Sequence, residues 1–206
     1  MHQLIEKKII KRIGGHGEGW SFTPKDFIDL GSRSVIDVSL HRLRKKEAIR
    51  LIIRGVYDRP GYSKLFKSPT SPAPDQIARA IARNYGWTIV PSGETALNLL
   101  GISRQVSSKY IYFSDGPYKK YSLENRDLVF KRRAIKETGS LSWKTALVVQ
   151  AIKALGEGNI DTEASKRLSA YLTPDEMARA KREAKYATSW VFEIIKKISG
   201  KGKIRG

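Results

Sequence analysis

Arg33, Ser34, Asp37 and His41 follow one another at spacings of one, three and four residues. The apolar residues of the same segment, Ile36, Leu40 and Leu43, fall at i, i+4 and i+7. On a helix the first set lies largely on the other side from the second. The first set offers a guanidinium, a hydroxyl, a carboxylate and an imidazole, groups that hydrogen-bond base-pair edges in a major groove. Arg42, Arg44, Lys45, Arg50 and Arg54 stand nearby and suit phosphate oxygens. Between positions 33 and 54 there are seven basic residues against two acidic ones, so the segment attracts a polyanion. The bland alternative is a solvated basic face on a fold used for protein contacts.

The neighbouring residues supply the elements that would hold such a helix. Leu4, Ile5, Ile9 and Ile13 predict a first helix over 3–13 that stops at Gly14-Gly15. The glycines at 14, 15, 17 and 19 read as a connector; no Gly-Lys-Ser/Thr follows to make a phosphate loop. Trp20 to Phe22 reads as a short strand. Thr23, Pro24 and Asp26 start a short helix that Gly31 ends. Ser32 caps the basic helix, expected over 33–46. Residues 49–54 alternate as a strand, and Gly55, Val56 and Tyr57 turn back as a second, with Arg54 and Gly55 at the tip. Helix, turn, basic helix and hairpin in this order predict a winged helix-turn-helix over 1–57.

Four of the eight prolines lie between 58 and 74, which reads as an extended linker and a domain boundary. Beyond it, 75–199 reads as a mixed α/β domain: helix 75–85, strand 88–90, helix 92–100, strands 110–113 and 128–131, then helices 142–155, 162–171 and 174–199. The whole chain is thus expected to be α+β, ending in helices and a basic tail over 200–206. Thr173, Pro174 and Glu176 form a capping box. Met177, Ala180, Ala184, Ala187, Val191, Ile194 and Ile198 are spaced like a heptad seam, for the domain's own core or for a second chain.

Other groups with chemical potential point less sharply. Lys119, Lys120, Lys131, Arg132, Arg133 and Lys136 form an auxiliary basic cluster, near Tyr110, Tyr112, Tyr118 and Tyr121. Such residues can grip a phosphate chain and stack on unpaired bases, or be a solvated surface over packed aromatics. Arg179, Lys181, Arg182, Lys185, Lys196 and Lys197 form a third cluster. Pro174-Asp175 with Glu183-Ala184-Lys185 mimics a metal-dependent nuclease signature, but on one helix rather than on converging strands. Gly139-Ser140 echoes nucleotidyltransferases without the paired carboxylates that hold their metal. His2, His16 and His41 are scattered, so no zinc site is expected. No catalytic residue, cofactor or metal is assigned.

Composition agrees. Thirty-nine Lys and Arg against 20 Asp and Glu give a formal charge of +19, which favours a nucleic acid or an acidic partner. The absence of cysteine excludes disulfides and thiolate chemistry. No signal peptide or long apolar run is evident, so a soluble cytoplasmic protein is expected.

Several short stretches, taken in order, are similar to one known family. Phe22-Thr23-Pro24-Lys25-Asp26-Phe27, Ser39-Leu40-His41-Arg42-Leu43, Ile53-Arg54-Gly55-Val56-Tyr57-Asp58, Pro91 to Gly101 and Tyr110 to Gly116 resemble the AbiEi-like antitoxins. The resemblance covers roughly residues 1–155 and rests on structural motifs rather than catalytic ones. It implies a winged domain that binds inverted repeats in its own promoter and represses the operon. It also implies a second domain that counters a nucleotidyltransferase-like toxin, with or without direct contact, and a chain that is a monomer in solution or a weak dimer on DNA. The rival expectation is a protein- or RNA-binding module that neutralises an acidic partner directly, the winged domain serving as scaffold.

Overall fold

The computed structural model describes residues 2–103, 105, 107–133 and 141–200. Lys136, Gly139-Ser140 and the tail beyond Gly200 lie outside the described residues. The chain is mixed α+β and divides into two compact units between Trp87 and Thr88.

In the first unit α1 spans His2–His16. Ile5, Ile9 and Ile13 are buried as their spacing requires, whereas Leu4 is exposed. The helix continues through Gly14-Gly15, where sequence placed its end. Ile13 is anchored in the core there, and the His16 ring stacks on Trp20 at 3.9 Å. Strand β1 is Ser21–Phe22. Pro24–Leu30 winds as a 3₁₀ helix, tighter than the α-turn expected, with the Thr23 backbone N–H donating to the Asp26 carboxylate at 2.8 Å. Helix α2 spans Arg33–Lys45. Strands β2 (Arg50–Ile53) and β3 (Val56–Asp58) form a hairpin, and β1 pairs with β3 to give a three-stranded antiparallel sheet of order β1-β3-β2. Phe22, Phe27, Ile36, Leu40, Leu43 and Ile49 close one core with the isoleucines of α1.

Asp58 is 1% exposed and sits opposite both Ser21 and Arg50 in this sheet. Arg50 donates to it through two nitrogens, at 3.0 and 2.7 Å, and to the Thr70 carbonyl at 3.0 Å. A buried carboxylate needs such a partner, because desolvation is otherwise uncompensated.

The Pro-rich stretch is folded rather than extended. Strands β4 (Tyr62–Ser63) and β5 (Ser68–Pro69) pair as a small antiparallel hairpin, closed where the Thr70 N–H donates to the Gly61 carbonyl at 2.8 Å. Helix α3 (Pro74–Tyr85) packs on β1 and β3 and buries Ile77, Ala78, Ala80, Ile81 and Ala82. Arg83 donates to the Ser21 carbonyl at 2.8 Å and pairs with Asp26 at 3.0 Å. This helix therefore belongs to the first unit, and the division lies after it rather than in 58–74.

The second unit holds a four-stranded mixed sheet of order β6-β7-β9-β8: β6 Ile89–Pro91, β7 Lys109–Ser114, β8 Lys119–Leu123 and β9 Arg126–Arg132. Strands β7 and β9 run parallel, and the other pairings are antiparallel. Helices α4 (Gly93–Leu99) and α5 (Trp143–Leu155) pack on each other and on β6. Helices α6 (Thr162–Tyr171), α7 (Pro174–Glu183) and α8 (Ser189–Gly200) complete an apolar core with α5.

The expected single helix 174–199 is broken. One 3₁₀ turn follows Glu183, Ala187 is extended, and Thr188 accepts the first amide bonds of α8. The seam residues Ala180, Ala184, Val191 and Ile198 are buried in the unit's own core, with Met177, Ala187 and Ile194 packed against it. Glu183 accepts from the N–H and hydroxyl of Ser142, at 2.9 and 2.7 Å, and so ties α7 to the start of α5.

Two outcomes follow for stability. Arg50→Ala strands a buried carboxylate and should cost about 3 to 5 kcal/mol in urea unfolding. The second concerns Glu183. Burial alone would push it up, but hydrogen bonds from Thr145 and Ser142 outweigh burial and hold it below the ordinary glutamate range. Its stabilisation is therefore present above the unfolded-state pKa and is lost as pH falls through the lower folded-state value. Glu183→Gln should flatten that acid limb of an unfolding-against-pH curve.

Candidate nucleic-acid interface

Helix α2 turns two chemically distinct faces to its surroundings. Ile36, Ser39, Leu40 and Leu43 are buried, while Arg33, Ser34, Asp37, Val38, His41, Arg42, Arg44 and Lys45 are exposed. The spacing that separates them is that of the sequence itself, so the core contacts of Ile36 and Leu40 dictate which side chains face outward. All four residues expected to read bases lie on this outer face.

Their free-state partners differ. Arg33 Nε donates to both Asp37 oxygens at 2.9 Å, an exposed i,i+4 pair. Ser34 shares a hydroxyl bond of 3.1 Å with Ser32. Tyr57 of β3 sits beside this face. Burial raises its phenol pKa above the usual range and nearby Asp37 adds to that, while Arg44 and Arg33 act against it. Sequence reasoning did not single out Tyr57, because its proximity to α2 depends on strand register.

The expected phosphate contacts separate into two groups. Arg44, Lys45 and Arg54 are exposed and make no ion pair among the described residues. Arg54 stands with Gly55 in the two-residue turn between β2 and β3, where Gly55 takes a left-handed φ of 80° that a side chain disfavours. Arg50 does not belong to this group: it is the structural partner of Asp58, a role that the hairpin's register creates. Arg42 is intermediate, 3.9 Å from Glu6 and half exposed. Lys46, not singled out from sequence, donates to the same nearly buried carboxylate at 2.6 Å. Glu6 thereby fastens α1 to the C-terminal turn of α2.

In the second unit, Lys131, Arg132 and Arg133 are exposed at the end of β9, and Lys119, at the start of the neighbouring β8, pairs in register with Phe130. The sheet thus gathers at one end four of the five auxiliary cations that lie among the described residues. Lys120 is drawn aside by Asp127 at 2.9 Å. Arg133 lies over the Phe113 ring at 4.7 Å. Of the tyrosines weighed for base stacking, Tyr112 and Tyr110 are core residues, Tyr121 meets Phe130 edge-on, and Tyr118 is exposed. Of the nuclease-like residues, Pro174 opens α7, Ala184 is buried in the core and Glu183 accepts from Ser142, while the capping box closes as Glu176 accepts from the Thr173 N–H at 2.9 Å. Among the described residues no group of three His, Cys, Asp or Glu side chains comes together. No described helix is long and apolar enough to cross a membrane.

Comparison with known proteins places the chain by family rather than by activity. A family of unknown function, DUF6088, matches residues 8–179, and the chain belongs to it. No curated protein matches. Among solved structures, the crystal structure of the RV2827C protein from Mycobacterium tuberculosis is similar at 13% identity and a TM-score of 0.41, covering 97% of this chain and 78% of that one.

Glu6→Gln should loosen the junction of α1 and α2 and cost about 1 to 2 kcal/mol in thermal unfolding, since Lys46 and Arg42 lose their shared carboxylate. An unchanged melting curve would mean that Glu6 fastens nothing.

Proposed function

We propose that this member of the DUF6088 family is a sequence-specific, double-stranded DNA-binding repressor of its own promoter. On this reading the first unit is a winged helix-turn-helix. The 3₁₀ helix 24–30 and α2 are its helix pair, α2 is the recognition helix, and the β2–β3 hairpin is the wing. The observation that carries the proposal is the outer face of α2, where Arg33, Ser34, Asp37 and His41 stand together over a buried Ile36-Leu40-Leu43 face, with Arg54 exposed at the hairpin turn. A helix of this kind inserts into a major groove, and a basic hairpin turn beside it meets the phosphates or the minor groove.

The biological setting is proposed from the resemblance to AbiEi-like antitoxins: a cytoplasmic, non-enzymatic antitoxin that represses an operon shared with a nucleotidyltransferase-like toxin. Inverted repeats would be met by two chains, the protein being a monomer in solution or a weak dimer on DNA. Exposed Lys131, Arg132 and Arg133, with half-buried Lys119 beside them, support a second reading, in which the second unit neutralises an acidic protein or RNA directly.

Arg33→Ala and Arg54→Ala separate base reading from phosphate contact. In gel-shift titrations against the chain's own upstream DNA, Arg33→Ala should cost about 1 to 3 kcal/mol and narrow the gap between specific and scrambled duplexes. Arg54→Ala should weaken all duplexes alike and make the salt dependence shallower by about one ion. Wild-type affinity in both variants would eliminate this docking.

A further inference from the structure

We propose that the β4–β5 hairpin is a second DNA-contacting arm whose tip, Leu65 and Phe66, wedges into the minor groove of the duplex held by α2; this rests on the duplex binding proposed above. The tip breaks the local rules of its own structure. Leu65 is 83% and Phe66 76% exposed, in a four-residue turn where Gly, Asn or Asp would ordinarily stand. Lys67 adopts a left-handed φ of 49°, which costs an L-residue more than it costs glycine. Folding gains nothing from a large apolar pair held in water, and such local conflicts gather at functional positions.

The arm is firmly based. The Phe66 N–H donates to the Ser63 hydroxyl at 3.2 Å, and the Thr70 N–H and hydroxyl both donate to the Gly61 carbonyl, at 2.8 and 3.2 Å. A side chain at Gly61 would meet Glu18 at 2.7 Å. Arg50 donates to the Thr70 carbonyl while it holds Asp58, so one guanidinium joins the base of this hairpin to the base of the β2–β3 hairpin. Lys64 and Lys67 flank the apolar pair, are exposed, and make no ion pair among the described residues. An apolar wedge between cations is the arrangement that unstacks a base step in the minor groove and bends the duplex. A bilayer or an apolar protein pocket would also accept Leu and Phe. The flanking positive charge and the base shared with the DNA-contacting hairpin favour the duplex.

The test uses the full-length chain and its own upstream DNA, end-labelled so that energy transfer reports bending. Wild type should bend the duplex. The Leu65→Ala/Phe66→Ala variant should bind about tenfold or more weakly and lose the bend. Its thermal unfolding should be unchanged, because both side chains are exposed. Lys64→Ala/Lys67→Ala should keep the bend and show a shallower salt dependence. Equal affinity and bending in the apolar double variant overturns the wedge alone, even if that variant loses a protein or lipid partner. A wild-type complex with straight DNA also overturns the wedge alone. A wild type that binds no duplex overturns the wedge together with the DNA-binding reading.

Discussion

The first unit depends on the burial of Asp58. Its carboxylate lies where β1, β2 and β3 meet, at 1% exposure, and the ion pair with Arg50 offsets the cost of burying it there. The same arginine reaches Thr70, so one planar group joins the β2–β3 hairpin to the hairpin that follows. Helix α2 enters this arrangement through the turn after Lys45, in which Glu47 takes a left-handed conformation. The direction in which α2 leaves the core is thereby tied to the sheet. If α2 reads bases as proposed, it must be held to within a fraction of an ångström of its groove position, and a bidentate pair supplies that kind of rigidity.

Electrostatics are arranged unevenly around this frame. Many acidic residues are engaged by cations of the same chain: Glu6 holds Lys46, Asp29 holds Arg12 at 2.6 Å, Asp26 holds Arg83 and Glu176 holds Lys144. With much of its acidic charge committed to internal partners, the chain turns Arg44, Lys45, Arg54, Lys64 and Lys67 toward solvent. A formal charge of +19 draws any polyanion, with an attraction that falls steeply as salt rises. Selectivity must come from a smaller set. Arg33 is tied to Asp37, so the base contact proposed for it would exchange one partner for another; that exchange is cheap at an exposed pair.

Much of the fold was legible because it follows periodicity. The i, i+4, i+7 spacing of Ile36, Leu40 and Leu43 located α2 within a residue, and Thr173 with Glu176 located the start of α7. What escaped depends on tertiary pairing. Arg50 looks like its neighbours in sequence and differs from them only because the hairpin register sets it opposite Asp58. Strand β8, Lys-Lys-Tyr-Ser-Leu, is an edge strand whose residues alternate only between half-buried and exposed, so its apolar pattern is short and weak. Proline density suggested a linker in 58–74, yet Pro69 sits in an exposed edge strand and Pro74 opens α3, two positions that tolerate a missing N–H. Residues 174–199 look like one helix until Thr188 restarts the chain at an angle that lets both Ala184 and Val191 reach the core. The outer face of α2 was readable; Tyr57 beside it and the Leu-Phe hairpin tip were not.

Binding of the purified chain to its own upstream DNA, against a scrambled duplex of equal length at two salt concentrations, tests the central claim most directly. A repressor that reads bases through α2 should prefer the upstream duplex and keep that preference as salt rises. Equal affinity for both duplexes, collapsing together at the higher salt, would contradict it and leave only the attraction of a basic protein for a polyanion.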